Sequence, residues 1–201
     1  MFCTAHLELY DNKLSGTIPE ELYDATALTR IRINNNTLEG TLSAKLLQLA
    51  DLEEIRLGYN SFSGPIPEEL YQMPNMVDFR CQGAQLTGTL SNSIGDLNAT
   101  LRRVFLRNNS MTGPLPIAGI EKLLNLSKFV PVARSMPFQP LLLTVFPSAD
   151  DLVLDGNDFT GTITQKICDE KVGGRFFDLQ RLTVSPRVDC SVQRFCCDLI
   201  A

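Results

Sequence analysis

Apolar and polar positions recur along this chain with a fixed interval. With Asn12, Asn36, Asn60, Ala84, Asn109 and Asn157 set in one column, the steps are 24, 24, 24, 25 and 48 residues, the last being twice 24. Upstream of the column stand alternating apolar pairs: Leu7 and Leu9, Ile31 and Ile33, Ile55 and Leu57, Phe79 and Cys81, Val104 and Leu106, Leu152 and Leu154. Two positions downstream lies Leu14, Leu38, Phe62, Leu86, Met111 or Phe159. Four positions downstream lies a glycine in every copy: Gly16, Gly40, Gly64, Gly88, Gly113 and Gly161. Two residues further comes another apolar residue, followed by Pro19, Pro67 and Pro116 in three of the copies. Six copies with conserved glycine spacing make a repeat array the governing feature.

The spacing has a direct physical reading. An L-x-L step places two side chains on one face of a strand, so each apolar pair points inward and its neighbours point out. Strands of successive copies then pair in parallel about 4.8 Å apart. The Asn column falls where the chain leaves the strand, and a buried amide there must satisfy backbone groups of neighbouring turns. Glycine permits the tight bend, and proline ends strand pairing. The segments Leu46–Leu49, Leu70–Met73 and Ile94–Leu97 predict short helical or 3-10 turns on the opposite, convex side. Each coil buries its apolar face only against its neighbours, which makes a quasi-one-dimensional solenoid.

The unit L-x-x-L-x-L-x-x-N-x-L-x-G-x-I-P resembles the plant-type leucine-rich repeat of receptor ectodomains and polygalacturonase-inhibitor-like proteins. The resemblance covers residues 4 to about 167. It implies an α/β fold: a right-handed solenoid, or horseshoe, with a parallel sheet on the concave face and short helical or 3-10 turns on the convex face. It says much less about function, which resides in sites rather than folds.

The pattern breaks once. The 48-residue step has room for one more coil, with its ladder position at Ala133. Leu143 and Phe146 fit that coil, but Lys128 and Ser135 occupy inward positions and Pro137 replaces the glycine. Pro131, Pro137, Pro140 and Pro147 oppose a regular strand. Residues 123–148 therefore read as a degenerate coil, by drift or as a bulge beside the binding face. About seven coils are expected over residues 1–167. The first coil begins without a polar cap or signal peptide, so a longer parent chain is expected to hold the cap, the signal or an anchor.

Residues 168–201 read as a Cys-rich closing cap, with Cys168, Cys190, Cys196 and Cys197 as disulfide candidates. Their pairing is open, since four cysteines allow three connectivities. The tail resembles, loosely, the ending of leucine-rich repeat proteins predicted in diatoms and related algae. Cys81 sits at an inward position and reads as a buried free thiol. Disulfides imply an oxidising compartment, extracellular or at the cell surface. Four N-x-S/T triplets point the same way, at Asn35, Asn98, Asn108 and Asn125, although an Asn-rich ladder also generates such triplets for structural reasons.

Composition narrows the function classes. The chain has 201 residues and a net charge of -5, and its longest strongly apolar stretch is too short to span a bilayer. An acidic chain of this kind is not a general nucleic-acid binder. One histidine, no phosphate loop and no metal-ligand spacing leave no candidate catalytic, metal or cofactor site. Within the acidic total, however, the outward strand positions are basic. Arg32, Arg56 and Arg80 occupy successive middle positions, and Arg30, Arg103, Phe105 and Arg107 widen the patch. Rigidly held guanidiniums suit carboxylate, sulfate or phosphate groups. The resemblance implies a further role for Arg30-x-Arg32, since receptors of this type hold a peptide's terminal carboxylate with paired concave arginines. Glu54 and Asp78 stand beside these arginines and provide the competing expectation of a self-neutralised face. The sequence thus predicts a non-enzymatic recognition module for a protein, peptide or acidic ligand. The alternatives are an inhibitor of a secreted polysaccharide-degrading enzyme and a structural cell-surface or wall protein.

Overall fold

The computed structural model describes residues 5–125, 151–154, 156–162 and 181–183. Within them the chain winds as a solenoid whose principal sheet has seven parallel strands in the order β1, β3, β5, β7, β8, β10, β12. The strands are Ala5–Glu8, Leu28–Arg32, Glu54–Arg56, Asp78–Arg80, Arg103–Phe105, Asp151–Val153 and Arg181–Thr183. Register is conserved along the array: Ile31 pairs with Ile55, Ile55 with Phe79, Phe79 with Val104, and Val104 with Leu152. The core is the stack of these inward residues, with Ile31, Ile55, Leu57, Phe79, Cys81, Val104, Leu106 and Leu152 all buried. In the first coil the equivalent positions are less covered, Leu7 half-buried and Leu9 40 % exposed.

The Asn column performs the expected hydrogen bonding. The Asn60 amide donates to Ile33 O at 3.0 Å and Leu57 O at 2.9 Å, while its Oδ1 accepts from Leu38 N at 3.0 Å. Asn109 repeats the arrangement, donating to Cys81 O and Leu106 O. Its Oδ1 accepts from both Ala84 N and Leu86 N, so it also serves the coil whose own Asn is Ala84. The glycine column lies in the left-handed region throughout, from φ 75° at Gly64 to 115° at Gly161, where an L side chain would be strained.

The convex turns are 3-10 in the first four coils, at Glu20–Asp24, Ala44–Gln48, Glu68–Gln72 and Asn92–Ala99. Pro19 and Pro67 precede two of them in extended conformation, and the acid pairs Glu20/Glu21 and Glu68/Glu69 fill the first turns. Negative charge is favourable at that end of a helical turn. The fifth coil instead carries a regular helix, α1 (Ile117–Asn125). A second set of parallel strands was not foreseen. Strands β2 (Ser15–Gly16), β4 (Thr37–Thr41) and β6 (Ser61–Ser63) form one small sheet, and β9 (Thr112–Pro114) pairs with β11 (Asp158–Thr160). The signal was present as period-two alternation, for example exposed Thr37, buried Leu38 and exposed Glu39.

The break in the pattern is resolved differently from the expectation. Strand β8 pairs directly with β10, Arg103 opposite Asp151 and Phe105 opposite Val153. Asn157 confirms the adjacency by donating to Leu106 O at 2.8 Å. The ladder position expected at Ala133 is therefore not in the sheet between them. The 48-residue step thus advances the ladder by one strand. The prolines of this stretch, which supply no N–H for a ladder, had already opposed a regular strand there. Residues 126–150 themselves lie outside the described residues. The segment read as a closing cap contributes the last strand, with Leu152 opposite Leu182.

Candidate functional site

The outward positions of the ladder strands form two adjoining columns. Register places His6, Arg30, Glu54, Asp78 and Arg103 in one, and Glu8, Arg32, Arg56, Arg80 and Phe105 in the other. The predicted arginines are thus brought together on one face, and so are the two acids expected to oppose them. Glu54 and Asp78 are among the few buried charged residues, at 9 % and 3 % exposure. They are covered by the guanidiniums, which lie across them with their stems along the sheet.

The geometry is that of an interlaced charge ladder. Arg32 meets Glu54 with two bonds, Nε to Oε1 at 2.6 Å and Nη2 to Oε2 at 3.2 Å, and reaches Glu8 at 3.2 Å. Arg30 Nε stands 3.0 Å from Glu54, and Arg56 Nε stands 2.6 Å from it. Arg56 also reaches Asp78 at 3.3 Å. Asp78 takes two bonds from Arg80, at 2.7 and 2.9 Å. Arg103 Nε is 3.8 Å from the same carboxylate, at the edge of ion-pair range. Its Nε is buried without a well-aligned acceptor, as are those of Arg30 and Arg56. The Arg80 guanidinium lies over the Phe105 ring, 4.7 Å from its centroid. Such a cation–π contact holds the guanidinium flat.

Burial raises the pKa of Glu54, but the Arg32 hydrogen bond and the charges of Arg56, Arg32 and Arg30 outweigh it and hold the carboxyl below its ordinary value. The same hydrogen bond raises Arg32. Arg56 is lowered, first by burial and then by the neighbouring Arg80 charge. Over the first five ladder strands, five guanidiniums (Arg30, Arg32, Arg56, Arg80, Arg103) face three carboxylates (Glu8, Glu54, Asp78), a surplus of two positive charges, and the register continues the column with Asp151 opposite Arg103. Glu54 and Asp78 thus stand against the arginines, as the competing reading of a self-neutralised face expects. Arg30 and Arg32 are engaged by Glu8 and Glu54, whereas the longest of these ion pairs is that of Arg103.

The remaining sites fall elsewhere. Asn35 and Asn108 are exposed where the strands end, with Asn35 donating to Asp11 at 2.6 Å. Asn98 and Asn125 lie at the ends of Asn92–Ala99 and Ile117–Asn125. Cys81 is buried with a free thiol, and burial pushes that thiol's pKa up. Cys168, Cys190, Cys196 and Cys197 lie outside the described residues. No group of His, Cys, Asp and Glu suited to a metal ion occurs among the described residues. No helix among them is long and apolar enough to cross a membrane.

The family model for the leucine rich repeat matches residues 4–25 and 51–73. The parallel ladder, the bonded Asn column and the 3-10 turns continue that pattern through the coils between and beyond. The chain carries leucine-rich repeats that resemble those of plant receptor ectodomains. This leucine-rich repeat chain is similar to the ectodomain of the Arabidopsis receptor kinase HAESA in complex with an N-terminally extended IDA peptide hormone. The two are 28 % identical over 81 % of this chain and 27 % of that one, with a TM-score of 0.61. It is also similar to the plant peptide hormone receptor RGFR1 in complex with RGF2, at 26 % identity, 89 % and 23 % coverage and a TM-score of 0.67. A TDR receptor structure matches at 25 % identity, 82 % and 24 % coverage and a TM-score of 0.65. The chain spans about a quarter of the length of these receptors. No curated protein matches it in sequence.

Proposed function

We propose that this leucine-rich repeat protein is a non-enzymatic recognition module that binds a peptide or protein segment bearing an anionic group, through the outer face of its ladder sheet. The observation that carries the reading is the surplus of two guanidinium charges over the first five strands of the sheet, with Arg103 in the longest of the ion pairs. Pre-organised guanidiniums recognise carboxylates without further ordering cost. The similarity to receptors solved with peptide hormones supports the same ligand class. An extracellular or cell-surface setting fits this reading, with Asn35 and Asn108 as exposed glycan acceptors and the late cysteines as disulfide partners in a closing cap.

The structure also changes which residues should be tested. Replacing Arg32 and Arg56 would strip Glu54 of two of its three arginine partners and perturb the fold. Arg103 and Arg107 are the informative positions. The experiment selects binders from a random-sequence peptide library on the immobilised protein. Recovered peptides are expected to carry a carboxylate or another anionic group, and Arg103→Ser is expected to weaken them about tenfold, the scale of one charge-assisted hydrogen bond. Unchanged affinity in both Arg103→Ser and Arg107→Ser would overturn the reading.

A further inference from the structure

Just beyond the end of each ladder strand, one residue per coil is held in the left-handed region. The column reads Asp11 (φ 55°), Asn35 (55°), Tyr59 (55°), Gly83 (60°), Asn108 (54°) and Gly156 (69°). Asp, Asn and Gly tolerate that conformation, because a short polar side chain or no side chain relieves the clash. Tyr59 does not. It is the one bulky side chain in the column, and it is also 52 % exposed, so burial does not account for its presence. An aromatic residue in a strained backbone, presented to solvent, is the type of outlier from which function is inferred.

Other departures from the repeat gather at the same point. The following coil has Ala84 where its ladder Asn belongs, and among the described residues Gln85 is the only other one that is neither Asp, Asn nor Gly and has positive φ. Gln82 Oε1 is buried with no donor. The Gln82 side chain lies against Gly58, where a Cβ would stand 2.7 Å from Gln82 O and 3.1 Å from its Oε1. The Tyr59 ring lies over Gly83, whose Cβ would meet the ring at 3.0 Å, and Tyr59 N donates to Gln82 O at 2.8 Å. Glycine at 58 and 83 thus lets the amide and the ring lie close to the sheet. Gln82 follows Arg80 by two residues, so this group adjoins the Arg80–Phe105 pair on the binding face.

We infer that Tyr59, with Gln82 beside it, forms a second subsite at the rim of the ladder sheet, which takes a ring-bearing residue (proline or aromatic) of the peptide whose anionic group the arginines hold. The inference rests on the proposed function. Gly83 lies against the Tyr59 ring, and the residue's 52 % exposure leaves ring surface for stacking. A ligand N–H would supply the donor that Gln82 Oε1 lacks.

The test uses the library-selected peptides with Tyr59→Asn, Tyr59→Phe and Arg103→Ser. Asn is at home in this column, so Tyr59→Asn should leave the melting temperature level or raise it by about 2–4 °C. It should lower peptide affinity about tenfold, while Tyr59→Phe, which keeps the ring face, retains most of it. Unchanged affinity in Tyr59→Asn would overturn the subsite and leave the arginine reading standing, provided Arg103→Ser still weakens binding. The converse result would overturn the arginine reading alone. A fall in melting temperature of more than about 4 °C would show that Tyr59 serves packing, and equal losses in the Asn and Phe variants would exclude stacking on the ring.

Discussion

Glu54→Gln tests the charge ladder most directly. Glu54 lies at 9 % exposure and contacts Arg32, Arg30 and Arg56 at 2.6, 3.0 and 2.6 Å. Gln keeps the shape and removes the charge, leaving three adjacent guanidiniums with one fewer counter-ion. Breaking a buried pair from one side costs about 3–5 kcal/mol. The side chains of Arg32, Arg30 and Arg56 are 24 %, 33 % and 29 % exposed, so water screens part of that loss. An estimate of about 2–3 kcal/mol follows. For a chain of this size that is a fall in melting temperature of roughly 4–12 °C. The assay is thermal unfolding followed by circular dichroism, from neutral to acid pH. The folded-state pKa of Glu54 lies below its unfolded value, so its stabilisation is complete above the unfolded pKa and is lost as pH falls through the folded pKa. The gap between the wild type and Glu54→Gln should therefore be full at pH 7 and narrow in acid. Sulfate should restore part of the loss by occupying the freed guanidiniums. Equal melting at pH 7, or a gap that widens in acid, would refute the assignment of Glu54 as the internal counter-ion.

Three further outcomes are expected. Asn60→Ala removes the partners of Ile33 O, Leu57 O and Leu38 N, all in buried surroundings, and should cost about 2–4 kcal/mol in urea unfolding. Excision of residues 126–149 returns the 48-residue step to the regular 24, because 48 − 24 = 24, and should preserve the far-ultraviolet spectrum and the cooperative melt; a collapse to an unfolded spectrum would show that the extra residues are needed by the ladder. Cys81 should resist thiol labelling in the folded protein and react in urea, as read by peptide mass mapping, because its burial raises the thiol's pKa and denies access.

The ladder strands, their inward residues, the bonded Asn column and the left-handed glycines were legible because each coil repeats one local solution, so each copy corroborates the others. Cys81 illustrates this: an ordinary reactive residue type is identified as core solely by its place in the column. The second small sheet was missed because its period-two signal spans only two to five residues per coil. Interval counting leaves room for one more coil at Ala133, while the prolines around it oppose a regular strand. The direct pairing of Arg103 with Asp151 puts no ladder strand between them.

By itself the sequence determined the fold class, the interior and the face on which the arginines stand, since these depend on period and on side-chain alternation. Tertiary structure alone decided the charge state of that face. Whether Arg32 is available to a ligand depends on the distance from its guanidinium to Glu54, two carboxylate bonds across a strand gap, and no repeat count contains it. The same holds for Tyr59, whose unusual status depends on a backbone angle shared by a column of neighbours. Period is a one-dimensional property and survives in the sequence, whereas neutralisation and strain arise only when neighbouring coils are brought together.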